Sequence, residues 1–436
     1  MRYAEGLLAG AVAALLGCAD NALPDSGNPG KLPNGSYGSI EADLAHYGTD
    51  GGTSGPSGDN VVPIIVDSGP SGSIIPSYNV PFISITLCAP GDPTHCLTID
   101  HVSVDTGSIG LRIVAEALPP SFIAALGVVK DGSGDPLAEC YAFAEGYTWG
   151  SVKTADLTVG GEKAMALPFQ LIGDRSLPSI PAQCKTGGTA ENTLADFGAK
   201  GLIGVGLYVA DCGTDCEDAA QLGSGYPYYG CASATACKQV LLPRAQQIVN
   251  PVSLFASDNN GVLIDLPAIS AAGAVTAAGS LVFGVGTRAN NALGSATVYA
   301  AGDAASGGSI DVTFDNHKYT YGFFDSGSSD LFFADSAIKT CTGNLSSYYC
   351  PASTLSVTAQ NFDGKGVGHD AAFSVANAET LFGNLPDGAA FANLGSASTG
   401  DTTIFDWGLP FFFGRRVFVA IEGRSTPGGS GPYYAF

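Results

Sequence analysis

Apolar residues along this chain come in short runs rather than in helical stripes. From Val61 onward, "VVPIIV" and "VPFISITLC" bunch β-branched and aromatic residues, and clusters of Asp, Asn and Gly cut the runs short. Within "NPVSLFASDNNGVLIDLP", Asn260-Gly261 is a strong hairpin signal. The pattern predicts a mainly β fold with few short helices. Sixty glycines and twenty-five prolines supply the turns, and 436 residues with 45% hydrophobic content suffice for two lobes with real cores. The expected division is a first lobe at 61–250, with a Cys-rich insertion at 207–240, and a second at 251–436.

Ahead of the strands the pattern changes twice. In "MRYAEGLLAGAVAALLGCAD", Arg2 precedes an apolar run from Leu7 to Leu16 and then small residues, which reads as a secretory signal too short to span a bilayer. Leu15-Leu16-Gly17-Cys18 resembles the bacterial lipobox, so residues 1–18 are expected to be a lipoprotein-type signal peptide with Cys18 acylated; cleavage after Ala19 is the alternative. Residues 19–60 are rich in Gly, Ser, Pro and Asn and read as a disordered tether. The expectation is an exported protein of the bacterial cell envelope, an outer-membrane lipoprotein facing the periplasm or the surface. It would touch the membrane only through a lipid anchor and act as a monomer.

Net charge is −22 with 18 basic residues, which excludes a nucleic acid as partner. Cys18 apart, ten cysteines remain, an even number suited to an oxidising compartment. Proximity suggests Cys88 with Cys96 and Cys341 with Cys350, and more loosely Cys140 with Cys184. Cys212, Cys216, Cys231 and Cys237 leave three connectivities open, with zinc as the rival. The five histidines form no H-E-x-x-H pattern, and no phosphate loop is present, so neither metal nor cofactor is expected. Ser336-Ala337-Ile338-Lys339 matches S-x-x-K without its companion motifs.

One acidic turn occurs twice. "VDTGSIGLRI" at 104–113 and "FFDSGSSDLFF" at 323–333 each run an apolar strand into Asp, a hydroxyl residue, Gly and Ser, then resume apolar. A further Asp67-Ser68-Gly69 is followed at once by Pro70 and reads as a plain turn. Downstream of the repeated turns lie Leu202-Ile203-Gly204, 99 residues after Asp105 to its glycine, and Phe412-Phe413-Gly414, 89 residues after Asp325. Two lobes with one internal plan explain this. Two carboxyls brought together cannot both ionise comfortably. The ionised one can take a proton from a water while the protonated one polarises a carbonyl, the chemistry of peptide hydrolysis.

Residues 61–436 resemble the two-lobed pepsin-like aspartic peptidases, and more closely an exported bacterial family known as a domain of unknown function. "VDTGSIGLRI" is similar to the first catalytic motif, "FFDSGSSDLFFADSAI" to the second, and "GSLVFGVGT" to the strand before the second. The resemblance implies a bilobal double-ψ β-barrel architecture with pseudo-two-fold symmetry. It implies Asp105 and Asp325 as the dyad, Thr106 and Ser326 exchanging hydrogen bonds beneath it, Ser108 and Ser328 orienting the outer oxygens, and Gly107 and Gly327 allowing the tight turns. It also implies a flap over a peptide or protein substrate, matched best by Tyr147 and next by Trp149 in "AEGYTWGSVKTADLTVGG". Arg112 departs from the pattern, standing where family members commonly place a tryptophan. The insertion at 207–240 is a further departure and is expected to restrict the cleft. The alternative function is a catalytically silent binding or inhibitor lipoprotein on the same scaffold.

Overall fold

The computed structural model describes residues 56–436 apart from 145, 224, 304–305 and 399–400. The signal peptide, Cys18 and nearly all of the 19–60 tether lie outside the described residues. The described chain is mainly β, and its longest α-helix, Ala378–Asn384, has 7 residues.

The described strands fall into one large sheet of 17, a second of 7, and a two-stranded ribbon of Ser425–Thr426 with Gly429–Ser430. The expected boundary at Asn250 is not clean. Val61–Val66, the first described strand, pairs along its whole length with Ala277–Phe283, so "GSLVF" belongs to a sheet spanning both halves. Gly261–Leu266 pairs with both Ala277–Phe283 and Arg415–Ala420, and Tyr433–Ala435 adds beyond Arg415–Ala420. These strands are apolar on both faces, as Val262, Leu263, Ile264 and Val417 to Ala420 are all buried. One cluster therefore runs from Val62 through Phe324 to Tyr434 instead of two separate cores.

Each half repeats a three-strand unit. Asp92–Asp105 enters, Ile109–Val114 leaves, and Gly201–Val205 lies between them, parallel to the first with Gly204 opposite Asp105 and antiparallel to the second. In the second half His317–Phe324 enters, Leu331–Phe333 leaves, and Ile404–Trp407 lies between them with the same two orientations.

That register corrects one expectation. Phe324 lies opposite Trp407, so the counterpart of Gly204 is Gly408, and Leu202-Ile203-Gly204 corresponds to Asp406-Trp407-Gly408. Phe412-Phe413-Gly414 instead ends a short helix and turns into Arg415–Ala420. Close packing explains both true glycines: a β-carbon at Gly204 would lie 2.6 Å from Ile109 N, and one at Gly408 would sit on the carbonyl oxygen of Asp330. Two apolar residues precede the glycine in the first half, whereas the second half carries an acid, Asp406, at the first of those positions.

All ten cysteines beyond Cys18 are paired. The expected Cys88–Cys96, Cys140–Cys184 and Cys341–Cys350 are joined by Cys212–Cys216 and Cys231–Cys237, which resolves the open cluster in favour of disulfides. The insertion itself adds Tyr228–Ser233 to the edge of Leu137–Ala142, with Ala236–Gln239 outside it.

Candidate active site

Asp105 ends its strand and Asp325 follows its strand by one residue, so both carboxyls emerge where the paired strands stop. The hydrogen bonds around them are matched. Gly107 N–H donates to Asp105 Oδ1 at 2.7 Å, and Gly327 N–H to Asp325 Oδ1 at 2.7 Å. The Ser108 hydroxyl donates to Asp105 Oδ2, and Ser328 Oγ lies 3.0 Å from Asp325 Oδ2. Beneath, Thr106 N–H donates to Ser326 Oγ at 3.1 Å and Ser326 N–H to Thr106 Oγ1 at 2.9 Å. Their own hydroxyls cross over, Thr106 Oγ1 to Phe324 O and Ser326 Oγ to Val104 O, both at 2.8 Å. Each hydroxyl oxygen thus accepts one bond and donates one, so neither buried group is left unsatisfied.

The turns press against one another. A β-carbon on Gly107 would lie 2.6 Å from the Asp325 carboxyl carbon, and one on Gly327 would lie 2.7 Å from Asp105 Oδ1. Any larger residue would push the acids apart. Gly107 and Gly327 are exposed, so solvent reaches this edge of the pair. Burial pushes Asp325 well above the usual carboxyl range; the Asp105 charge and a hydrogen bond donated to it by the protonated form add to the rise, and the Gly327 N–H and Ser328 oppose it.

Tyr147 and Trp149 are not at this edge, which corrects the flap expectation. Leu137–Ala142 and Gly146–Val159 form a hairpin in which Cys140 faces Trp149 and Ala142 faces Tyr147. These residues share one face of the hairpin, and Cys140, Tyr147 and Trp149 are buried with Leu177 and Cys184. Trp149 Nε1 donates to Leu177 O at 3.0 Å. Tyr141, opposite Thr148, lies on the other face. Its hydroxyl is pushed up by burial, against the Arg112 charge and with the Asp211 and Asp105 charges adding, so Tyr141 is the hairpin aromatic on the Arg112 side, within the field of Asp105. The parity of the hairpin decides this, and it was not readable without the register.

Under Tyr141 lies Arg112, whose guanidinium carbon is 3.5 Å from the ring centroid. Arg112 is fully buried. Its Nη2 donates to Glu139 Oε1 at 2.8 Å and to Asp211 Oδ2 at 3.3 Å, Nε donates to Glu139 Oε2 at 3.2 Å, and Nη1 to Ile109 O at 2.7 Å. Asp211 comes from the insertion, and Tyr228 of the insertion donates to its Oδ1 at 2.6 Å. The insertion therefore braces the hairpin through a buried ion cluster. Burial, then Glu139, raises Asp211 well above the ordinary range. Neither Glu139 nor Asp211 was singled out in the sequence; a buried Arg in an apolar strand was the available signal.

Asp67 fits a plain turn, accepting from Gly69 N–H at 2.9 Å and facing His101. Among the described residues, the one group of metal-ligating types close enough to share an ion is Cys341, Cys350 and Glu379, and both sulfurs are committed to a disulfide. No described helix is long and apolar enough to cross a membrane.

No curated protein matches this chain. Among solved structures, the crystal structure of aspartic proteinase from Irpex lacteus is similar over 86% of this chain and 96% of its own, with 12% identity and a TM-score of 0.46. The family model described as "Protein of unknown function (DUF3443)" matches residues 56–436, and the chain belongs to that family.

Proposed function

We propose that this chain is an aspartic endopeptidase of two-lobed, pepsin-like architecture, hydrolysing extended peptides with a water held between Asp105 and Asp325. One observation carries the proposal: two acidic turns from different halves of the chain meet with the same hydrogen bonds, and their hydroxyls interlock across a pseudo-two-fold axis. A turn used only for structure has no need of a second one pressed against its carboxyl.

The chemistry follows from a shared proton. With one proton on the pair, the ionised carboxyl takes a proton from the water as it attacks, and the protonated carboxyl donates to the substrate carbonyl oxygen. The tetrahedral intermediate then breaks as a proton passes to the leaving nitrogen, and no covalent adduct with the enzyme forms. Activity is expected in acid and is lost as pH rises far enough to remove the shared proton, a property of the pair rather than of either residue. Lipid anchoring at Cys18 and an envelope location belong to the same proposal.

The test is hydrolysis of a denatured protein from acid to neutral pH, with and without pepstatin, by wild type, D105N and D325N. Pepstatin-sensitive activity lost in both variants is the expected result. Activity unchanged in both removes the proposed chemistry, and a wild type that binds pepstatin or peptide without hydrolysis makes the chain a silent binder.

A further inference from the structure

Asp406 takes the place that Leu202 holds in the first half, and its side chain is fully buried. Its Oδ1 has no hydrogen-bond partner. Its Oδ2 lies 2.5 Å from Ser328 Oγ, the same oxygen that lies 3.0 Å from Asp325 Oδ2. A serine hydroxyl has one hydrogen and cannot donate to two ionised carboxylates. If both contacts are hydrogen bonds, one of the flanking acids is protonated and donates to Ser328.

The surroundings decide which. Asp406 faces Asp325 and Asp105 from the turns, Asp330 from the approach to the outgoing strand, and Tyr434 from the last strand; no cation faces it among these groups. An ionised Asp406 would be a buried charge with one oxygen bare. Asp325 is half-buried, accepts from the Gly327 N–H, and has Asp105 beside it to share a proton. We propose that Asp406 is a positioning residue held as a carboxylic acid, donating to Ser328 Oγ and so committing the Ser328 hydroxyl hydrogen to Asp325 Oδ2. This rests on the dyad assignment above. Burial, and then the Asp325 charge, holds Asp406 well above the ordinary carboxyl range. A carboxylic acid kept neutral in order to donate is an established device in enzyme sites. The first turn has no such acid, since the strand position that Asp406 fills is held there by apolar Leu202. The two aspartates of the pair are thereby made inequivalent.

The experiment has two arms on the full chain. Infrared spectra at neutral pH, without substrate, are compared for wild type, D406N and the D105N/D325N double variant. The wild type minus D406N difference is expected to show a protonated-carboxyl band, and that band is expected to survive in D105N/D325N. A difference showing only an ionised carboxylate overturns the proposal. In the kinetic arm, D406L, which installs the residue of the first half, is expected to lower kcat about tenfold with KM within about twofold. D406N, which still donates to Ser328, recovers most of that loss and leaves the acid limb of the pH profile in place. A D406L enzyme as fast as wild type, or a D406N enzyme as slow as D406L, also overturns it. If D406L does not fold, the infrared difference decides alone. If wild type hydrolyses nothing, the dyad function fails while the protonation state of Asp406 is still decided.

Discussion

Behind Asp105 the inserted strand brings Leu202 and Ile203; behind Asp325 the equivalent strand brings Asp406 and Trp407. The first half carries its buried charges one strand further out, at Arg112, Glu139 and Asp211, beside the hairpin that bears Tyr141. The second half surrounds its turn with stacked rings, Phe324 on Trp407 at 6.1 Å and Phe333 on Phe405 at 4.8 Å. The acidic turns themselves scarcely differ. Strand geometry fixes the four residues of each turn because they must meet their counterparts across the axis. What stands behind them is constrained only by volume and by satisfied hydrogen bonds, so the halves diverge there.

The strongest way to break the comparison is at the acids. D105N and D325N are each expected to lower hydrolysis about a thousandfold or more, with similar losses because the pair acts as a unit. Steady-state rates on a denatured protein measure this, and a gap far larger than tenfold between the variants would show that one acid works alone. Next in size is the ion cluster. Arg112→Leu leaves Glu139 and Asp211 buried without their cation and is expected to cost about 3–5 kcal/mol in urea unfolding. Arg112→Lys restores little, since a single ammonium cannot reproduce the fork that meets Glu139 with two nitrogens.

The corrected strand register can be sharpened with glycines. Gly204→Ala and Gly408→Ala are each expected to destabilise by about 3 kcal/mol, because the new methyl meets backbone atoms. Gly414→Ala is expected to cost about 1 kcal/mol, from its φ of 78° and a milder approach to Ala268. Equal losses at Gly408 and Gly414 would contradict the register.

The smallest effect is on stability against pH. Asp406 keeps its proton in the folded chain at pH values where the unfolded chain has released it. The folded state binds more protons across that window, so stability falls as pH rises from the ordinary carboxyl range toward the raised value, and the contribution is complete below the ordinary range. D406N has no proton to lose. Its melting midpoint is therefore expected to fall less steeply than that of wild type between acid and neutral pH, and a steeper fall would argue against a protonated Asp406.

Much of the site was legible because it is local. Each turn announces itself by an apolar run, an acid, a hydroxyl residue and a glycine, and the repetition of that order pointed to a pair. The flap was misplaced because Tyr141, Tyr147 and Trp149 lie close together on one hairpin, and which of them lies on the Arg112 side, within the field of Asp105, depends on strand parity. The second inserted strand was missed because Asp406 breaks the apolar pattern that marks the first.

The sequence by itself determined the β character, the two acidic turns with their glycines and hydroxyls, and the disulfides Cys88–Cys96 and Cys341–Cys350, since strand propensity, turn chemistry and short cysteine spacings act over a few neighbouring residues. Only the tertiary structure decided that Val61–Val66 joins a strand more than two hundred residues away, that Gly408 rather than Gly414 backs the second acid, and that Arg112, Glu139 and Asp211 share one buried cluster. Those outcomes are pairings across long separations, set by register and by the need to satisfy buried charge, and neither quantity is carried by any single stretch of chain.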